Sequence, residues 1–252
     1  MKITFVGTSH GVPEPDRFCT AMFLEVGDSC YIIDAGAPVS PMLKRYRIPH
    51  ESVKGVFITH LHGDHFDGLF EFADQLGWRY LNCHPRILLP EEKGVTLLSG
   101  FLKTMSTTKR ELDILSYTEG EIYEDENIRV TAVPTDHSNL VSYAFKVEAE
   151  GKKILFTGDM HAELTEFAAL FENESYELVV FEGAHTRLLE KVERLASVNT
   201  RKIIINHIYS VRNSAEDMTE LKKILPFELV AAEDGMIIEI LNNCTTYKCI
   251  EQ

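Results

Sequence analysis

No apolar run in the sequence approaches the roughly 20 residues that a membrane-spanning helix needs, so no membrane partner is expected. The opening Met1-Lys2-Ile3-Thr4-Phe5-Val6-Gly7 passes directly into a strand-like run. It lacks the longer apolar core and small-residue cleavage site of a secretory signal, and a cytoplasmic location is the expectation. Cysteine is scarce: Cys19, Cys30, Cys83, Cys244 and Cys249 are scattered and odd in number. A disulfide framework is not expected in that compartment, and the five read as free thiols. Cys244 and Cys249 are close enough in sequence to pair or to bind metal. Positive charge is also short, with 25 Lys and Arg against 39 Asp and Glu for a net charge of −14. Such a surface repels phosphate backbones at long range, and extended nucleic-acid binding is not expected. The basic residues Lys44, Arg45 and Arg47, then Lys103, Lys109 and Arg110, then Lys152 and Lys153 are scattered and read as solvated faces. A local positive site stays open, because bound metal ions would create one.

Hydrophobic residues make up 44% and charged residues 25% of 252 positions, enough for a packed core and typical of a globular chain. Ile3–Gly7, Ala21–Val26 and Cys30–Ile33 read as strands separated by glycine-containing turns. Val56-Phe57-Ile58-Thr59 is a buried strand, and Asp67–Trp78 follows as a helix with Leu69, Phe70, Phe72, Ala73 and Leu76 apolar. Residues 86–125 mix a helix with short strands. Strands come next near Arg129–Pro134, Ser142–Val147 and Lys153–Thr157. The last part alternates helix 164–172 with strand 178–182, helix 187–196 with strand 202–206, and helix 215–225 with strand 228–239. This pattern predicts one α/β domain over residues 1–252, sheets covered by helices, with the sheet order open.

The chemistry concentrates in Thr59-His60-Leu61-His62-Gly63-Asp64-His65. Three imidazoles and a carboxylate stand at the end of a buried strand. His60 and His62, two apart in extended chain, point the same way, and Gly63 permits a turn that brings Asp64 and His65 to the same point. Nitrogen and carboxylate donors suit zinc, and also manganese or iron. Imidazoles this crowded repel when protonated, a cost that a metal removes. Three further apolar strands each end in a candidate ligand: His137 after Val133-Pro134-Thr135-Asp136, Asp159 after Phe156-Thr157-Gly158, and His207 after Ile205-Asn206.

The series His60-x-His62-x-Asp64-His65, then His137, Asp159 and His207, resembles the metallo-β-lactamase superfamily. Ile32-Ile33-Asp34-Ala35-Gly36 resembles its strand ending in Asp-x-Gly. The resemblance implies an αββα sandwich of two mixed β-sheets flanked by helices, with the site at one edge. It implies two divalent metal ions, one held by His60, His62 and His137, the other by Asp64, His65 and His207, with Asp159 bridging. Asp34 would orient the cluster. No cysteine stands in the ligand series, unlike many true β-lactamases, which argues against antibiotic hydrolysis.

Within the superfamily the chain looks most like the ribonuclease Z and related phosphodiesterase branch. Gly7-Thr8-Ser9-His10-Gly11-Val12-Pro13 resembles its first glycine-rich loop, and Ala184-His185-Thr186 its Ala-His-Ser/Thr segment. The resemblance makes His185 a candidate proton donor. It departs at the arm that grips transfer RNA, because only 159 − 137 = 22 residues separate His137 from Asp159, enough for two strands and a turn. The final motif is also altered, reading His207-Ile208-Tyr209-Ser210-Val211-Arg212. The expectation is therefore a hydrolase of small anionic phosphodiesters that works through a metal-bridging hydroxide, with Asp64 helping to aim it. A homodimer is possible, as related enzymes often are. The alternatives are hydrolysis of a thioester, lactone or lactam, a nuclease of the ribonuclease Z type, and iron redox chemistry, whose usual attached flavin or rubredoxin-like domain is not visible. Trp78, Tyr80 and His84 open a region, residues 77–127, expected to supply pocket wall. Their rings would stack on a base there, ordinary core packing being the plainer reading.

Overall fold

The computed structural model describes residues 1–107, 109–241 and 245–249. In chain order the strands and helices are β1 Lys2–Gly7, β2 Ala21–Val26, β3 Ser29–Ala35, α1 Val39–Arg45, β4 Val53–Phe57, α2 Gly63–Trp78, β5 Arg86–Leu89, α3 Glu92–Met105, β6 Asp113–Ser116 and β7 Gly120–Glu124. The second half continues with β8 Ile128–His137, β9 Leu140–Ala149, β10 Lys152–Phe156, α4 Phe167–Phe171, β11 Leu178–Gly183, α5 Val192–Ala196, β12 Lys202–Ile208, α6 Ala215–Ile224, β13 Glu228–Ala231, β14 Met236–Ile240 and β15 Thr245–Cys249.

The strands form two mixed sheets. One has eight strands in the order β15-β14-β1-β2-β3-β4-β5-β6, the other seven in the order β13-β12-β11-β10-β9-β8-β7. Each sheet changes from antiparallel to parallel pairing. In the first, β2 and β3 are antiparallel and β3 to β6 run parallel. In the second, β9 and β10 are antiparallel and β10 to β13 run parallel. Parallel neighbours require crossovers, and these put α1 to α3 on one outer face and α4 to α6 on the other.

Strand periodicity then fills three cores. Tyr31 and Ile33 of β3 and Leu178 and Val180 of β11 pack between the sheets. Cys30 and Ile32 turn outward beneath the first helical layer, and Val179 and Phe181 beneath the second. The αββα sandwich expected from the resemblance is what the chain forms. Parallel strands end together, so the loops after β3, β4, β10, β11 and β12 gather along one edge of both sheets.

Two elements differ from the sequence reading. The helix α1 lies in a stretch that carries no clear periodic signal. The expected strand 228–239 is two strands in different sheets. Ala232 N still donates to Ile205 O of β12 (2.8 Å), but Gly235 N donates to Phe5 O of β1 (2.8 Å). Gly235 adopts φ 88°, which glycine adopts without penalty, and makes this crossing a single tight turn. Cys244 and the side chain of Cys249 lie outside the described residues. Cys19, Cys30 and Cys83 are free and buried, as read. No helix of the described residues is long and apolar enough to cross a membrane.

Candidate metal centre

The strand β4 ends at Phe57, and the chain runs out through Ile58 to His62. His62 is still extended (φ −70°, ψ 147°), and α2 begins at the next residue. Asp64 and His65 therefore fall in its first turn, facing back toward His60. Asp34 fixes this arrangement from the end of β3. Its carboxylate accepts from Thr59 N (2.8 Å), from Thr59 Oγ1 (3.0 Å to each oxygen) and from His65 Nδ1 (2.8 Å).

These bonds settle the imidazole tautomers. With Nδ1–H donated to Asp34, His65 turns its Nε2 inward. Thr59 spends its hydroxyl proton on Asp34 and accepts from His60 Nδ1 (3.1 Å). Thr20 donates to Ser9 O (3.3 Å) and accepts from His207 Nδ1 (2.8 Å). His60, His65 and His207 thus all turn Nε2 to one place, as hydrogen-bonded metal-ligating histidines do. Asp34 (φ 56°) and His207 (φ 52°) both hold left-handed backbone that non-glycine residues seldom adopt, so strain concentrates at this edge.

Two groups converge. His60 Nε2 and His137 Nε2 each lie 3.1 Å from His62 Nδ1. With Asp159 these form a quartet whose ligand atoms lie within 4.8 Å of one another, and Asp64, His65 and His207 form a triad by the same measure. Asp159 sits between them, its Oδ1 3.4 Å from His65 Nε2 and its Oδ2 3.3 Å from His207 Nε2, 3.6 Å from His137 Nε2 and 3.8 Å from His60 Nε2. His65 Nε2 and Asp159 Oδ1 are buried and have no hydrogen-bond partner. Buried polar atoms are seldom left so, and the donor set fits divalent cations. All the residues read from the sequence as ligands are here.

The field at this point is strongly negative. Burial alone would depress the His65 pKa, but the carboxylates of Asp159, Asp34 and Asp64 outweigh it and push it up to about 10. Burial raises and the histidines, His207 first, lower the Asp159 pKa, and the histidines win by a wide margin. Burial keeps His60 and His137 neutral, holding both below the usual imidazole value. In the metal-free protein, the raised His65 pKa gives stability that is complete below the ordinary 6.5 and is lost as pH rises through about 10. Binding a cation at His65 must displace that proton. Zinc affinity is therefore expected to rise about tenfold per pH unit inside this window. Titration calorimetry in two buffers of different ionisation heat should count about one proton released from His65 at pH 8, and a count of zero would remove His65 from the ligand set.

His185 follows β11 at the rim, with 35% of its side chain exposed. Its Nδ1 lies 3.4 Å from Glu182 Oε2 and 3.6 Å from Asp159 Oδ2. Burial depresses its pKa, but Glu182 and Asp159 outweigh this and hold it above the ordinary value. Glu182 Oε2 is itself fixed by the N–H groups of Ala184 (2.7 Å) and His185 (2.9 Å). Thr20, Thr59 and Glu182 escaped the sequence reading. A charged residue ending the apolar run Leu178-Val179-Val180-Phe181 was a usable signal for Glu182, and Thr59 adjoins the His60 motif. Nothing in the sequence marks Thr20.

Trp78, Tyr80 and His84 do not join the site. They lie at the far end of α2, about 22 Å along its axis by helix rise. Trp78 donates to Asp74 (2.9 Å), Tyr80 stacks on His50 (3.7 Å between ring centres), and His84 meets Arg110. Stacking on a base fails because a helix that starts at the site carries its other end away, whereas the plainer reading, packing, holds for Tyr80 against His50.

Comparison with known proteins agrees with this architecture. The sequence profile of the family described as Anti-Pycsar protein Apyc1 matches residues 1–224. Ribonuclease Z of Archaeoglobus fulgidus is 24% identical over an alignment of 304 positions, gaps included, covering 95% of this chain and 97% of that protein. Ribonuclease Z of Anoxybacillus flavithermus is 33% identical over 153 residues, 58% of this chain and 48% of the relative. The chain thus spans about half the length of that relative. Among solved structures, the metallo-β-lactamase fold protein YhfI from Bacillus subtilis superimposes with a TM-score of 0.75 at 19% identity, covering 94% of this chain and 98% of its own. Human tRNase Z, short form, gives 0.73 at 20%, covering 96% and 100%.

One expectation is overturned. The net charge of −14 predicts no extended nucleic-acid binding, yet relatives named ribonuclease Z and a structure named tRNase Z share this chain's sequence pattern and fold. Net charge sums the whole surface, whereas recognition depends on the field at the mouth of the site and on any cations held there. The chain is a hydrolase of the metallo-β-lactamase superfamily near the ribonuclease Z branch, and it belongs to the Anti-Pycsar protein Apyc1 family.

Proposed function

We propose that the protein is a two-metal phosphodiesterase acting on small or nucleotide-like phosphodiesters. The observation that carries this is Asp159 standing between the two groups, with one oxygen 3.4 Å from His65 and the other 3.3 Å from His207. In this reading His60, His62 and His137 hold one ion, Asp64, His65 and His207 hold the other, and Asp159 is shared. Zinc suits these donors best, with manganese and iron close behind. Bound there, the ions would supply a water acidic enough to attack near neutral pH and positive charge for the phosphoryl oxygens. Asp64 orients that water. His185, whose Nδ1 edge faces Glu182 and Asp159, uses its Nε2 edge to give a proton to the departing oxygen, a role helped by the two carboxylates, which outweigh burial and hold its pKa above the ordinary imidazole value. Family membership adds an anti-Pycsar role as the setting of this hydrolysis.

The test pairs two diesters, one releasing p-nitrophenolate and one releasing a sugar alkoxide. Asp64→Ala is expected to stop both. His185→Ala is expected to cost about 10² to 10⁴ on the alkoxide ester and far less on the nitrophenyl ester, whose leaving group needs little protonation. Because His185 also lies within ligand distance of Asp159 and His207, equal losses on both esters would make it a ligand instead. Metal-loaded protein that turns over neither ester moves the reading to a carboxylic ester, thioester or lactone.

A second reading, a nuclease of the ribonuclease Z type, is favoured by the alignment with the Archaeoglobus fulgidus protein across 95% of the chain. A 3′-extended transfer RNA in the same assay separates the two: trimming faster than small-diester turnover selects the nuclease.

A further inference from the structure

The core between the sheets holds a buried carboxylate with an unused oxygen. Glu182 and Asn206 are paired neighbours on the parallel strands β11 and β12. Val180 and Ile204, two residues earlier, belong to the inter-sheet core, so strand alternation turns Glu182 and Asn206 into it as well. Both are 3% exposed. Glu182 Oε2 accepts from the N–H groups of Ala184 and His185, but Oε1 has no hydrogen-bond partner. The Asn206 amide sets Nδ2 against Met22 Sδ (3.7 Å), and its Oδ1 has no partner either.

Both residues line a cavity of about 20 Å³, whose apolar wall is made by Met22, Ile33, Phe156 and Val180 of that core. Its polar wall cannot supply the missing donor. Thr20 spends its hydroxyl proton on Ser9 O, Thr59 on Asp34 and Thr157 on Gly158 O. His65 and His207 turn Nδ1 to Asp34 and Thr20, and Nε2 toward Asp159. Two buried acceptors on adjacent strands therefore need a donor from outside the chain. The volume suits one water, for which roughly 10–15 Å³ suffices. A small cation is disfavoured, because the divalent ions proposed at Asp159, which also lines the cavity, would repel it.

We propose that one water is bound in this cavity, donating to Glu182 Oε1 and Asn206 Oδ1, and that Asn206 thereby acts as a positioning residue for His185. Glu182 is then held at both oxygens, by backbone N–H groups on one and by the water on the other. Its carboxylate, 3.4 Å from His185 Nδ1, keeps a fixed plane against the imidazole. The water itself is independent of the reaction assigned above; its effect on turnover rests on the phosphodiesterase reading.

The test has a structural arm and a kinetic one, both on zinc-loaded full-length protein. Crystals diffracting well enough to show ordered water are expected to place one within about 2.6–3.2 Å of Glu182 Oε1 and Asn206 Oδ1. A dry cavity, or an Asn206 amide turned so that Nδ2 donates directly to Glu182, overturns the proposal. The kinetic arm reads the ratio of kcat for the alkoxide-leaving diester to kcat for the p-nitrophenyl diester. Asn206→Leu, near in volume but apolar, is expected to lower that ratio about tenfold, a part of what general-acid catalysis contributes. Asn206→Ser, which keeps a hydroxyl and makes room for a second water, is expected to restore most of it. A purely packing role predicts the reverse order, since serine leaves the larger hole. An unchanged ratio in Asn206→Leu, or a ratio lowered as much in Asn206→Ser, overturns the positioning role. Wild-type protein that turns over neither ester sinks the phosphodiesterase reading, and the electron density then decides the water alone.

Discussion

Asp159→Ala is expected to lower turnover of any diester by on the order of 10³-fold or more and to remove the thermal stabilisation that zinc confers. The carboxylate is within 3.3–3.8 Å of five histidine nitrogens, four of them on proposed ligands, so its loss weakens both proposed metal sites at once. It also strips His65 of the largest of the charges that hold its proton. The variant should therefore differ from wild type most with metal present. Metal content by mass spectrometry and melting with and without zinc check this. Full occupancy of two ions in Asp159→Ala, with turnover intact, would end the shared-carboxylate assignment.

Gly36→Ala is expected to be the most damaging single methyl group at the site. A β-carbon there would fall 1.8 Å from the backbone oxygen of Asp64 and 2.9 Å from Cys19 Cβ. The first of these cannot move without shifting the start of α2, and with it Asp64 and His65. The loss of stability should exceed the about 1–3 kcal/mol usual for core overpacking, because backbone rather than a side chain must give. Even a fraction that folds should bind zinc poorly. Denaturant melting and zinc affinity measured on one preparation separate the two effects. Wild-type stability with wild-type affinity would mean that α2 is not seated on the Gly36 turn.

The ligand positions were legible because each one follows an apolar strand. His60, His137, Asp159 and His207 are all polar groups at the end of a run that had to be buried, and their order matched one known series. The two-sheet fold was legible by resemblance, since periodicity alone left the sheet order open. Asp34 could be read as an orienting residue because it also closes a strand. What could not be read depended on where chain segments far apart in sequence come to rest. Thr20 acts on His207 across 187 positions. The break at Gly235 did carry a turn signal, since Glu233-Asp234-Gly235 interrupts the apolar run, but nothing in the sequence says which sheet receives the strand on either side of it. Trp78 and Tyr80 looked available to a ligand because sequence distance says nothing about direction. Charge failed as a guide to nucleic acid because −14 is a total, and a total has no location.

The proposed ligands, and His185 beside them, come from both sheets. His60, His62, Asp64 and His65 belong to the loop and helix that follow β4 of the eight-stranded sheet. His137, Asp159, His185 and His207 close strands of the seven-stranded one, or the loops that follow them. Between those sheets there is chiefly side-chain packing, pinned at the site edge by Asp234, which accepts from Thr8 Oγ1 and Phe18 N (both 2.7 Å). Ions bound across that line would act as rivets through a seam. Catalytic competence and the mutual alignment of the two halves then become one property, so a substitution deep between the sheets, far from any ligand, can silence the enzyme merely by letting the seam slip.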